Sequence, residues 1–338
     1  MDTMNPQPNG HPIDVVGIGN ALVDVLAFEP DALIAELGMI KGAMNLIDGE
    51  RSAMIRSRLD GPLEMAGGSA ANTMAGVASL GGHAHYLGKV ADDRLGGVFA
   101  HSIRELGLRY TTPPATNGTA TGCCAIVVTP DAQRTMNTHL GASVDFSPAD
   151  VDRSVIAAGK ILYLEGYLFD PPHAQEAFRV AATYAREAGT LVALTLSDSF
   201  CVERHRAAFQ DLVDGHIDLV FGNADEIRSL YEVDDLDEAI TTVRERCGAG
   251  AITRGANGST LFREDELVDV PAHAPTEIVD TTGAGDLYAA GVLFGLAKGF
   301  DLTTCGHLGS AAAAEVLSHL GARPQTPLSE LVRDLLPA

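Results

Sequence analysis

Apolar positions along the chain fall into short blocks of two periods, one suited to strands and one to helices. IDVVGIG at 13–19 is β-branched and closes in glycines, which predicts a buried first strand. GGSAANTMAGVASLGG (67–82) and DDRLGGVFAHSIRELG (92–107) carry helical spacing, with Ser69 expected as an N-cap and Gly81 and Gly107 as stops. HAHYLGKVA between them predicts a strand, as does AMNLIDGE at 43–50. TGCCAIVVTPDAQRTMNTHL predicts a hairpin turning at Pro130-Asp131. From 146 onward strand and helix blocks alternate: KILYLEGYL, PHAQEAFRVAATYAREAG, TLVALTLSD, CVERHRAAFQDLVDG, IDLVFGN and ADEIRSLYEV. Val279 is expected to end a strand and Leu287 to begin an apolar helix.

This alternation predicts an α/β fold: a Rossmann-like, doubly wound, mostly parallel sheet with helices on both faces. Residues 13–22, 62–110 and 146–338 are assigned to the large domain. Residues 23–61 and 111–145 are assigned to a small β lid over the carboxyl ends of the strands, where open α/β sheets place ligands. The polar start, MDTMNPQPNGHP at 1–12, reads as a disordered leader without signal-peptide features.

Composition narrows the function. Among 338 residues, 46% are apolar and the formal net charge is −22. Such an acidic chain is a poor generic binder of nucleic acid or anionic membrane, and no stretch is long and apolar enough to span a bilayer. Five cysteines without a C-x-x-C pair fit a reduced, cytoplasmic protein. Backbone amides can still hold a phosphorylated ligand.

DTTGAGD at 280–286 is the most informative stretch. Gly283, Ala284 and Gly285 open a helix, so their amides can form an anion hole, and Asp286 projects from the first turn beside them. An anion hole beside a carboxylate suits phosphoryl transfer to a hydroxyl, with Asp286 as base. The same residues also suit a capped, buried helix. GGSAAN at 67–72 opens another helix: Gly67 and Gly68 admit a close ligand, and Asn72 offers a donor and an acceptor. Asp24 in GNALVDV can accept hydrogen bonds from neighbouring hydroxyls of a sugar. GIGNAL at 17–22 offers a rival dinucleotide-binding reading, but Leu22 replaces the third glycine of that fingerprint.

GGSAANTMAGVASLGGHAHYLGKVADDRLGGVF and DTTGAGDLYAAGVLFGLAKG resemble the two signatures of the PfkB, or ribokinase-like, carbohydrate kinase family, and the resemblance spans about residues 13–330. It implies ATP as donor, Mg²⁺ as cofactor and a small-molecule acceptor. By position, Asp286 matches the catalytic base and Gly283, Ala284 and Gly285 the anion hole. Asp24, Gly67, Gly68 and Asn72 match the acceptor set. Asn223 and Glu226 match an N-x-x-E pair that orders Mg²⁺ through water; read alone, they suit a polar helix start. Thr253, Arg254, Gly255 and Gly258 in TRGANGS match a nucleotide-flanking loop, as does Thr282, and Arg254 suits either a phosphate contact or a surface charge. Residues 307–322 match the wall of the adenine pocket. Asp280 resembles the monovalent-cation site of some members, which would hold K⁺.

Three features resemble the adenosine-kinase branch: Asn20 and Asp24 in G-N-x-x-x-D spacing, Arg134 in the lid, and Tyr167 and Phe169, whose rings suit stacking on a flat base. The acceptor expected is therefore a nucleoside, with a free sugar as the alternative, in a monomer or homodimer.

Overall fold

The computed structural model describes residues 12–275 and 277–337. The leader expected at 1–12 lies outside these residues except for Pro12. The large sheet has nine strands, running edge to edge as Glu266–Val270, Ser259–Arg263, Ala249–Thr253, Leu219–Asn223, Leu191–Thr195, Gly159–Glu165, Ile13–Ile18, Ala84–Leu87 and Arg109–Tyr110. All neighbours pair in parallel from Ala249–Thr253 to Arg109–Tyr110. The two strands at the opposite edge return antiparallel. The mostly parallel, doubly wound expectation holds. Its interior strand Ile13–Ile18 is buried at every position, as a continuous apolar run between two helical layers must be.

A second sheet of five strands runs in the order Met44–Leu46, Arg134–His139, Gly122–Val128, Leu22–Phe28 and Leu63–Gly67. Period-two geometry divides its side chains. Val23, Val25, Ala27, Cys123, Ala125 and Val127 join the main core, whereas Cys124, Ile126 and Val128 face the other way with Leu26, Met136 and Leu320. The hairpin turns where expected: Ala132 adopts φ 62° and its amide donates to the Thr129 carbonyl at 2.8 Å.

Three sequence expectations need correction. Leu63–Gly67 pairs antiparallel with Leu22–Phe28, so it belongs to the lid sheet and the boundary at residue 62 moves. In 43–50 only Met44–Leu46 is strand, because Asp48 caps a helix Gly49–Arg56 by accepting from the Arg51 amide. Val279 lies in no strand. The amides of Val279 and Asp280 donate instead to the Leu317 carbonyl at 2.8 and 3.4 Å, which ties the segment to the end of the helix Leu302–Leu317.

The helix Ala284–Lys298 is buried nearly all round, so its neighbours must approach closely. A Cβ on Gly291 would sit 2.5 Å from the Leu308 carbonyl, and one on Gly76 would sit 2.6 Å from the Ala290 Cβ. The Gly76 contact brings the helix Ser69–Ser79 against Ala284–Lys298, so that their N-terminal ends meet, and the Gly291 contact seats Ala284–Lys298 on the helix Leu302–Leu317.

One ionic cluster locks the far end of this packing. Asp14, 3% exposed, accepts from Lys160 Nζ at 2.9 Å, from Lys298 Nζ at 2.8 Å and from the His83 amide at 2.9 Å. Burial alone would raise its carboxyl, but Lys298, the His83 amide and Lys160 together hold it down to about 2. The folded value lies below the ordinary aspartate value of 3.8. Its stabilisation is therefore present above about pH 4 and is lost as pH falls through about 2. Asp14→Ala is expected to cost about 3 kcal/mol in urea unfolding at pH 7, by stranding two lysines, with the difference from the parent protein shrinking towards pH 2. A constant difference across that range would contradict the assignment.

Candidate active site

The two meeting helix ends carry Asp286. Its Oδ1 accepts from Ser69 Oγ at 2.6 Å and its Oδ2 from Asn72 Nδ2 at 3.1 Å. Burial raises the carboxyl to about 6, against the pull of these two donors, and Asp24 raises it further. Ser69, expected as an N-cap, is instead the first residue inside its helix; Gly68, with φ 100°, takes the cap position. The Ser69 hydroxyl is thereby free to reach across to Asp286.

The anion-hole expectation needs one change. The Ala284 amide donates to the Thr281 carbonyl at 3.3 Å, whereas no backbone partner occupies the amides of Gly283 and Gly285 among the described residues. Gly283 adopts φ 81°, and a Cβ there would meet Ala322 at 2.7 Å. Gly285 has open space where a Cβ would lie. Gly283, Gly285 and Asp286 line a cavity of ≈490 Å³; Ala284 does not.

That cavity extends from Asp286 under the lid. Asp24 projects into it from the strand Leu22–Phe28 and accepts no hydrogen bond among the described residues. Burial raises its carboxyl, while Arg323 and Arg134 pull it down. A Cβ on Gly67 would collide with the Asp24 carboxylate, and one on Gly68 with the Asn20 carbonyl oxygen. Both glycines are thus required by neighbouring protein atoms, and of the two only Gly68 lines the cavity. Asn20 borders the cavity, but its side chain is occupied. Nδ2 donates to Glu165 Oε1 at 3.0 Å and Oδ1 accepts from Ser143 Oγ at 2.9 Å. The lid supplies an apolar wall of Leu22, Met44, Leu46, Cys124, Ile126, Met136 and Leu140.

Tyr167 lines the cavity beside Ser197, Asp198 and Glu226. Phe169 does not reach it: its ring is fully buried, 4.5 Å from Phe209 and 5.6 Å from Phe178 between centroids, so the expectation of a stacking role there is corrected.

On the other side of Asp286, Asn223 and Glu226 line the cavity as a reciprocal helix cap. Asn223 donates to both Glu226 oxygens, from Nδ2 at 2.6 Å and from its amide at 3.1 Å. Burial raises the Glu226 carboxyl to about 7. A second cavity of ≈520 Å³ adjoins here, lined by Asn223, Thr253, Arg254, Gly255 and Asn257 among others. Arg254 pairs with Asp269 at 3.0 Å. Gly258 lies in neither cavity; its φ of 84° and tight contact with the Val270 carbonyl oxygen are needed where the strand Ser259–Arg263 begins.

Asp280 is occupied as well. Its Oδ1 accepts from the Thr282 amide and Oγ1, and its Oδ2 from Arg134 and the Gly321 amide. Arg134 ties lid to large domain rather than extending freely towards a phosphate.

Sequence reasoning missed Ser69, Glu165 and Arg323 as site residues. Glu165 is 1% exposed and accepts from the amides of Asn20 and Ala70, and burial raises it to about 7. It sits within an apolar strand block, where a lone carboxylate is a signal worth following.

The pfkB family carbohydrate kinase model matches residues 56–328, and the chain belongs to that family. It is a phosphotransferase that uses ATP and an alcohol acceptor on a small molecule. A solved structure described as a probable sugar kinase from Rhizobium etli is 45% identical, with a TM-score of 0.88, over 96% of this chain and 100% of that one. The adenosine kinase from Sinorhizobium meliloti is 47% identical, with a TM-score of 0.87, over 96% and 99%. Among curated proteins, a 5-dehydro-2-deoxygluconokinase of Geobacillus kaustophilus is 27% identical over 75% of this chain and 78% of its own. Among the described residues no helix is long and apolar enough to cross a membrane.

Three outcomes are expected. A base at Asp286 must be ionised, so kcat/KM should fall as pH drops through about 6. Ser69→Ala removes a donor to the ionised form and should move that acidic limb up by about one pH unit. An unshifted limb would separate Ser69 from the base. Gly67→Ala should raise KM for the acceptor roughly tenfold, with KM for ATP unchanged, by displacing Asp24; steady-state kinetics with each substrate varied reads this directly.

Proposed function

We propose that the protein transfers the γ-phosphoryl group of ATP to the hydroxymethyl group of a nucleoside, with adenosine the favoured acceptor. The carrying observation is the division of the cavity into an apolar roof and a polar floor. Met44, Leu46, Ile126, Met136 and Leu140 line the lid side, which carries the carboxylate of Asp24 among them, and Asn72 and Asp286 line the floor. A flat base fits against apolar walls, while sugar hydroxyls need fixed polar partners. A free sugar would leave the roof without a matching surface. The likeness to the Sinorhizobium meliloti adenosine kinase supports the same reading.

In this reading Asp24 and Asn72 hold the sugar hydroxyls, with Gly68 at the cavity edge. Asp286 takes the proton of the attacking hydroxyl, and the amides of Gly283 and Gly285 hold the phosphoryl oxygens. Thr253, Arg254 and Gly255 border the donor. Mg²⁺ would spread the phosphate charge. Asn223 and Glu226 fit such an ion only through water, because Asn223 already donates to both Glu226 oxygens.

The curated relatives named 5-dehydro-2-deoxygluconokinase give a second reading, a sugar-type acceptor. ADP release should be measured with ATP and Mg²⁺ on adenosine, other nucleosides, ribose, fructose and 5-dehydro-2-deoxygluconate. Strong turnover on adenosine is expected; turnover on the sugars alone would overturn the nucleoside assignment. Asp286→Asn should bind adenosine yet lose about 10²–10⁴-fold in kcat. Retained turnover would remove Asp286 from its role.

A further inference from the structure

The segment Leu320–Arg323 touches four parts of the site in four consecutive residues. Leu320 packs against the cavity face of the lid beside Ile126 and Met136. The Gly321 amide donates to Asp280 Oδ2 at 3.0 Å. Ala322 fills the space that a side chain on Gly283 would need. Arg323 Nε donates to Asn72 Oδ1 at 3.3 Å. The segment is itself pinned, because buried Glu315 accepts from the Gln325 and Thr326 amides at 2.9 and 2.7 Å and from His319 Nε2 at 3.1 Å.

Arg323 is the unusual member. Its side chain is half-buried, and its Nη2, shielded from solvent, has no hydrogen-bond partner among the described residues. A cation with a shielded, unused donor is costly unless charge and function retain it. The opposing charge is Asp24, whose carboxyl it pulls down from the lid side. Its Nε fixes the Asn72 amide, because an amide with Oδ1 accepting from Arg323 must present Nδ2 to Asp286.

We propose that Arg323 is a positioning residue for the transfer: it orients the Asn72 amide towards Asp286 and faces Asp24, so that one cation sets both the base and the acceptor carboxylate. The proposal rests on Asp286 acting as the base. It does not depend on which alcohol is phosphorylated.

The consequence has a definite sign. Without Arg323 the Asn72 oxygen loses its donor, so the amide is less fixed and less polarised, and its Nδ2 supports the ionised carboxylate less. The other groups facing Asp286 do not replace it. Ser69 already donates, Asp24 and Glu165 are acidic, and Tyr163 and Tyr167 feel Asp286 only at range. Protonation of Asp286 should therefore move to higher pH.

The test reads this without substrate. Protein carrying ¹³C-carboxyl aspartate is titrated by NMR, and the Asp286 signal is assigned by its loss in Asp286→Asn. Arg323→Met should raise its midpoint by about one pH unit, and Arg323→Lys by less. In kinetics with adenosine or ribose, whichever turns over, Arg323→Met should raise the acceptor KM roughly tenfold and leave KM for ATP unchanged. Guanidinium ion should partly restore both readings. An unchanged Asp286 midpoint would overturn the proposal, even with a lowered melting temperature. If Arg323→Met does not fold, Arg323→Lys decides by the same midpoint. Turnover retained in Asp286→Asn would instead sink the base assignment, while the NMR shift still stands or falls alone.

Discussion

A carboxylate half-buried between two helix N-termini is the constraint on which the rest of this site depends. Removing Asp286 from water raises its carboxyl, and two short donors from a neighbouring helix oppose that rise. The balance leaves a group that is ionised near neutrality but poised close to its titration, which is what proton abstraction from an alcohol asks for. It holds only if the helices Ser69–Ser79 and Ala284–Lys298 approach within the width of a glycine. Gly76 provides that approach against Ala290 and Leu287, so a small residue away from the chemistry sets its geometry.

The remaining parts are arranged around this pair of helix ends. The lid brings Asp24 and an apolar wall from one side, and the carboxyl ends of the parallel strands bring Glu165, Asn223 and Thr253 from the other. Polar side chains that looked available in isolation are already paired: Asn20 with Glu165 and Ser143, Asp280 with Arg134, Asn223 with Glu226. Among the described residues the Asp24 carboxylate and the amides of Gly283 and Gly285 stay open. Selectivity in such a site comes from the few groups left unpaired as much as from those present.

Much of this was legible in the sequence. Strand and helix blocks, the hairpin at Pro130-Asp131 and both glycine-led helix openings appear at or within a few residues of their expected places. The misses have physical causes. Leu63–Gly67 was assigned to the wrong sheet, because periodicity shows a strand but not its partner. Ser69 was read as a cap, a role its residue type suits, but Gly68 can adopt φ 100° and takes that position. Glu165 and Arg323 escaped because each lies outside the recognised motifs, and their meaning comes from atoms contributed by distant segments.

The sequence by itself determined the class: an acidic α/β chain with two glycine-led helix N-termini, one bearing an aspartate, and the order of elements that makes a doubly wound sheet with a lid. Those properties are local, since they follow from spacing, turn chemistry and the unpaired amides of a helix start. The tertiary structure decided which polar groups remain free and at what charge. Burial, the crossing of two helices and the return of Leu320–Arg323 into the site are long-range facts. The energy of an ionised side chain depends on everything packed around it, most of which lies far away along the chain.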